Sequence, residues 1–248
     1  LHEGSYYAIY LKRDLFGVHK TTVCKIIHNV SKLICIKFKK YITMPETEDE
    51  INAGMMSFYK IAKFPCVIGA IDCTHIPIIS PGKYCSSDRG ELFRNRKDTF
   101  SINTQAVINI DMMFLDIVAR WPGSAHDSTI FTASKIKNNF EAGLYKNGCL
   151  VGDRGYALKK YLLTPLANPQ SRCEKLYNES HIRTRNVVER TFGVWKRRFP
   201  AVGSKLRVHL KHSQAIIVAT AILHNVCIIY ELSVDNNKIF FFSRNTFR

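Results

Sequence analysis

The chain has 248 residues, room for one large domain or for a small domain followed by a larger one. Hydrophobic residues make up 46% of it, which supports a sizeable buried core and excludes a disordered chain. A net charge of +16, with a pI near 9.6, favours a polyanionic partner, nucleic acid ahead of an anionic membrane surface. The longest apolar run, Ala215–Leu223, is interrupted by His224 and Asn225. That is short of the roughly 20 apolar residues of a spanning helix, so no membrane association is expected. The sequence opens at Leu1 rather than Met, as it would if the natural start lay upstream, and no leader pattern is visible. Eight scattered cysteines, none in a C-x-x-C pair, are expected to be reduced thiols of a cytosolic or nuclear protein.

Residues 1–45 read as a helical segment of their own. A short helix end, a turn at Gly17 and a Thr-rich start lead into KTTVCKIIHNVSKLI. There Val23, Ile26, Ile27, Val30, Leu33 and Ile34 recur at helical spacing. This is how a helix-turn-helix reads, and an ordinary helical hairpin reads the same way. A bridging helix occupies 46–63. Thr47 and Glu50 have the spacing of a capping box, Ile51, Met55 and Phe58 form a stripe, and Pro45 and Pro65 bracket it.

From residue 64 the pattern changes to short apolar runs. Cys66–Asp72 reads as a buried strand, Ile76–Ile79 as its return partner, and Lys83–Lys97 as a loop. Thr99–Asn109 and Phe114–Trp121 predict an antiparallel hairpin around Asp111. A helix is expected over Ala125–Phe140, a strand over Cys149–Asp153, and helices near Leu158–Leu163, over Arg185–Phe199 and over His209–Glu231. Strands, a helix, a further strand and terminal helices make a mixed α/β layered domain over 64–231. The tail at 232–248, with three consecutive Phe, stays unassigned.

The charge pattern isolates a few acids. Between Arg183 and Lys211 there are nine cations and one carboxylate, Glu189. On a helix, Arg185, Glu189 and Lys196 share one stripe, beside the apolar stripe of Val188, Phe192, Trp195 and Phe199. Asp72 ends one apolar run and Asp153 ends another, and ligand-handling groups of open α/β sheets gather at strand ends. Taken alone, each acid has an ordinary role in a turn, a cap or a surface ion pair. Brought together, they offer oxygen ligands to a hard divalent cation such as Mg²⁺. Two such ions clamp the attacking and leaving oxygens of phosphoryl transfer.

Asp153 and Glu189 are separated by 35 residues, with Asp72 upstream. Together with GAIDCTHIPI, WPGSAHDSTIF, LVGDRGYALKKYLLTPL, NVVERTFGVWKRRFP and ATAILHNVC, this resembles the PIF/Harbinger group of DDE transposases over about residues 47–228. The resemblance implies an RNase H-like mixed sheet flanked by helices, preceded by the helix-turn-helix-like segment. It carries the catalytic, metal-binding triad onto Asp72, Asp153 and Glu189. It also offers Asp127 as a further metal ligand, although an acid opening a helix is favoured by the helix dipole in any case. Related bacterial elements place Tyr, Arg, Glu and Lys at fixed steps on the last motif. Arg185 and Lys196 match, while Ile182 stands at the Tyr position.

The resulting expectation is a nuclear DNA endonuclease of transposase descent that uses Mg²⁺ or Mn²⁺ in a two-metal DDE mechanism, with strand transfer as an extension. Arg185, Lys196 and Arg197 are the expected DNA contacts. Expected partners are DNA, a Myb-like DNA-binding protein and further copies of the chain. Two other readings share these features: a catalytically inactive, domesticated DNA-binding protein, and an RNA-cleaving enzyme of the same fold.

Overall fold

The computed structural model describes residues 17, 19–82 and 90–244. The first helix of the expected helix-turn-helix, part of the 83–97 loop and the end of the tail lie outside the described residues. Gly17 is in a turn at φ +60°, a conformation glycine adopts without a Cβ penalty. Helix α1 (Lys20–Lys37) follows, with the His19 ring accepting from the Thr21 amide at its start. It packs along the last helix of the chain. Much of the apolar set expected to be its inner face, Ile26, Val30 and Leu33 among it, is exposed.

Helix α2 (Glu48–Ala62) begins in the predicted capping box. The Thr47 hydroxyl accepts from the Glu50 amide, and the Glu50 carboxylate accepts from Thr47 N. Ile51 and Phe58 are its buried residues.

Strand β1 (Val67–Pro77) joins two runs that the sequence separates. No turn-forming residue stands between Asp72 and Ile76, so the chain stays extended until Pro77, and Ile76–Ile79 is no return strand. The return comes from β2 (Ser101–Ile108), antiparallel to β1, followed by β3 (Phe114–Pro122), antiparallel to β2. The single helix expected over 125–140 is two: α3 (Asp127–Thr132) and α4 (Lys135–Glu141). The break lies at Ser134, whose hydroxyl caps the second helix by accepting from Lys137 N.

Strand β4 (Cys149–Val151) is parallel to β1, and β5 (Leu162–Leu163) is parallel to β4. Residues 158–163 therefore end in a short strand rather than the expected helix. Helix α5 (Arg172–Arg198) begins thirteen residues before its expected start, in a second capping box made by Ser171 and Glu174. A short helix α6 (Pro200–Gly203) and the long α7 (Leu210–Arg244) complete the chain, with α7 extending beyond the expected end at Glu231.

The five strands lie in the order β3-β2-β1-β4-β5. Two cores cover the two faces. Ala70, Ile76, Ile102 and Ala106 meet Val188, Phe192 and Trp195 of α5 together with Ile217 of α7. Ile68, Ile71, Val107 and Leu150 meet Phe131, Ile136 and Phe140 of α3 and α4. This is a mixed sheet flanked by helices with a helical segment in front, the RNase H-like α/β arrangement. By length and composition, Leu210–Leu232 of α7 is apolar enough to cross a membrane. In this fold it is a core helix. Its buried Asn225 exchanges hydrogen bonds with the backbone of Phe114, and His224 bonds Met112 O.

Candidate metal centre and nucleic-acid face

Parallel register brings the first two acids together. Ala70 pairs with Val151, and each chain then runs two residues further, to Asp72 and Asp153. The acids of neighbouring parallel strands thus reach the same end of the sheet side by side. A third arrives from β3 by way of the WPGS turn, which swings the chain over the strand ends into α3, with Asp127 as its first residue. Ligand oxygens of Asp72, Asp127 and Asp153 all lie within 4.8 Å of one another, and all three side chains are half-buried.

The surrounding hydrogen bonds fix each carboxylate. Asp72 Oδ1 accepts from the Cys73 amide at 2.7 Å, and Asp153 Oδ1 accepts from the Gly155 amide at 2.8 Å. Asn103 Nδ2 donates both to Asp127 Oδ1 at 3.0 Å and to Ala125 O at 2.9 Å. Beside it, Gln105 donates to Tyr156 Oη at 3.2 Å, and that hydroxyl also meets Cys73 Sγ at 3.3 Å. Burial pushes the Cys73 thiol and the Tyr156 hydroxyl well above their ordinary ranges, so both stay protonated as the neutral floor of the site.

Asp72 is under the greatest electrostatic load. Burial pushes its carboxyl up to about 6, and the neighbouring Asp153 and Asp127 add to the rise, against the Cys73 amide and the Arg185 guanidinium. Arg185 Nη1 donates to Asp72 Oδ2 at 2.9 Å, and its Nη2 donates to Glu189 Oε1 at 2.5 Å. Glu189, one helical turn along α5, is exposed and connects to the cluster through this guanidinium. The close group therefore consists of Asp72, Asp127 and Asp153, with Glu189 on the far side of Arg185.

The residues expected to contact DNA are placed differently from one another. Arg185 is turned inward, on Asp72 and Glu189. Lys196 reaches back across the sheet, its Nζ donating to Thr74 Oγ1 at 2.7 Å and His75 O at 3.1 Å, and burial lowers its pKa. Arg197 is exposed. Sequence reasoning passed over Asn103 and Gln105. Their signal is the alternation of Ser101, Asn103 and Gln105 in a strand buried along its whole length, since polar residues repeating every second position mark one polar face.

The cluster suits a hard divalent cation. Its donors are all carboxylate oxygens, with no nitrogen or sulfur in the set. Gly155 faces it so closely that a Cβ there would stand 3.0 Å from Asp153 Oδ1 and 3.5 Å from Asp127 Oδ2. Three acids this close repel one another unless a cation compensates them.

Comparison with known proteins agrees with this geometry. Residues 71–225 match the family model described as DDE superfamily endonuclease, a span that opens one residue before Asp72 and closes at Asn225. The human and cattle proteins named "Putative nuclease HARBI1" are each 32% identical, over 89% and 91% of this chain and 63% and 64% of their own length. The Arabidopsis thaliana "Protein ALP1-like" is 28% identical over 88% of this chain and 56% of its own length. The chain thus spans less than two thirds of these relatives. No solved structure gives a significant match.

Proposed function

The chain belongs to the DDE superfamily endonucleases, in their PIF/Harbinger branch, and from that premise we propose that it is a divalent-metal-dependent DNA endonuclease. The observation that carries the reading is the convergence of Asp72, Asp127 and Asp153, from two parallel strands and a helix start, on one point at the end of the sheet. These three would hold the metal, with Glu189 as the family pattern's final acid. A divalent cation bound there supplies Lewis-acid polarisation of a phosphodiester and activation of the attacking water, and a pair of them supplies the two-metal form of that chemistry.

The chain's own groups do the rest. Asn103 keeps one Asp127 oxygen oriented, and the Gly155 amide keeps one Asp153 oxygen oriented. Arg185 offsets the charge of Asp72 and Glu189, and as a planar donor fork it suits a phosphate oxygen equally well. Arg197 and Lys196 extend positive charge along the same helix. Strand transfer through the released 3′-hydroxyl, nuclear residence, a Myb-like DNA-binding partner and self-association complete the proposal.

Supercoiled plasmid incubated with Mg²⁺ or Mn²⁺ tests it. The native chain nicks the plasmid, and Asp153→Ala abolishes nicking while leaving DNA affinity within about threefold, because phosphate contacts dominate binding. Equal nicking by both proteins, or none by either, overturns the nuclease reading and leaves an inactive DNA-binding protein.

A further inference from the structure

Beside the acid cluster lies a group of cations that the catalytic reading does not use. The chain turns tightly between Arg94 and Ser101 before entering β2. Asn95 locks this turn: its Oδ1 accepts from Lys97 N, Thr99 N and Thr99 Oγ1, and its Nδ2 donates to Ser101 Oγ. The charge of Arg94 is already spent on Glu91 and Asp98, and its guanidinium stacks over Phe100. Arg96 and Lys97 at the tip are exposed, and neither pairs with a carboxylate among the described residues.

Arg96 is aimed at the site. Its Nη2 donates to His126 Nδ1 at 2.7 Å, and His126 immediately precedes Asp127. A guanidinium only donates, so that ring nitrogen carries a lone pair. His75, on β1 across from Asn103 with its Nδ1 on Ser101 Oγ in a partly covered position, reports the same local field. Burial lowers its pKa first, and the charges of Lys196, Lys97 and Arg96 lower it further, against an upward pull from Asp127. Arg96 therefore stands beside the residue that leads into Asp127, on a turn whose backbone is already ordered and whose next residue is Lys97.

We propose that the 95–97 turn, through Arg96 and Lys97 with His126 beside them, is a phosphate clamp that holds the backbone of the DNA strand at the mouth of the acid cluster. The proposal rests on the nuclease reading for the direction of that strand. A polyanion approaching three carboxylates is repelled, and an exposed Arg96 beside His126, followed by the exposed Lys97, supplies a compensated way in. An ordered arginine fork loses little entropy when it grips a phosphate, so the rigid turn favours Arg96 as the main contact.

The test measures anisotropy of a fluorescent duplex, in EDTA so that nothing is cut, across a salt series. The full chain is compared with the Arg96→Gln/Lys97→Gln variant and with a charge-matched control, Lys60→Gln/Lys175→Gln, which removes exposed lysines from α2 and the start of α5. The clamp variant loses tenfold or more in affinity at moderate salt. Its slope of log K against log salt falls by about two, close to one per phosphate contact. The control changes neither by more than a small fraction of that, and unchanged melting temperatures establish that both variants fold. Equal behaviour of the two variants overturns the clamp, whatever the nicking result. Lost affinity in the clamp variant, with no nicking by the native chain, upholds the clamp and sinks the nuclease reading instead.

Discussion

At Asp72 the requirements of a buried strand and of a carboxylate conflict. Its folded pKa of about 6 lies above the unfolded 3.8, so between these values the folded chain holds more protons than the unfolded one. Its share of the metal-free stability therefore falls as pH rises through that window, by on the order of 1–3 kcal/mol. A divalent cation bound to the ionised cluster reverses the trend above about pH 6, because it stabilises only the folded form. Asp72→Asn flattens the pH dependence of the metal-free melting temperature and abolishes the rise that Mg²⁺ produces at neutral pH. Thermal unfolding from pH 4 to 8, with and without Mg²⁺, measures both effects. Asp72 and Asp153 were legible in the sequence because each follows an apolar run, a signal that requires no tertiary information. The inward turn of Arg185 was not legible, because a basic helix looks the same whether its arginines face water or a carboxylate.

Among the elements, the WPGS turn has the narrowest tolerance. A Cβ on Gly123 would stand 2.5 Å from Phe93 O and from Ser101 Oγ, so the turn rests directly on the chain that carries Arg96. Ser124 N bonds Leu92 O in the same contact. Gly123→Ala forces the 92–101 segment away, destabilises the fold by about 1–3 kcal/mol and lowers both metal affinity and DNA affinity, since it shifts Asp127 and the 95–97 turn together. Denaturant unfolding and Mn²⁺ titration check this. Elements were legible where local chemistry decides them. Thr47 and Glu50 announce a helix start within four residues, and the β2–β3 hairpin follows from apolar alternation. Legibility failed where packing decides. Nothing local separates one strand over Val67–Pro77 from two, since the deciding fact is that β2 pairs along most of its length. The start of α5 at Arg172 was hidden because its first half is polar, held by Asn178, Ser180 and His181 bonding neighbouring backbone rather than by an apolar stripe.

Across the whole molecule, one side chain ties three regions together. Asn225 Oδ1 accepts from Phe114 N at 2.8 Å, while its Nδ2 donates to Phe114 O at 2.8 Å and to Tyr41 O at 2.6 Å. It thus satisfies the outer edge of β3 and secures the segment that leads from α1 into α2. Asn225→Leu strands the Phe114 amide and the Phe114 and Tyr41 carbonyls, and costs on the order of 2–4 kcal/mol. Hydrogen exchange should quicken first in residues 38–45 and at the β3 edge, ahead of β1 and β4; uniform quickening would argue against a local tie. The excess of cations, by contrast, says nothing about this architecture.

The path from Asp153 to Glu189 contains two kinds of spacer. Residues 167–170 form a surface connection, where extra residues can bulge into solvent. After Asn178 and His181 dock the helix, the rest of the interval is counted in rotations of about 100° per residue. One residue inserted between His181 and Arg185 would swing Arg185, and Glu189 with it, roughly a third of a turn away from Asp72. Length variation among relatives should therefore collect before Ser171, while the stretch from Asn178 to Glu189 keeps a constant count.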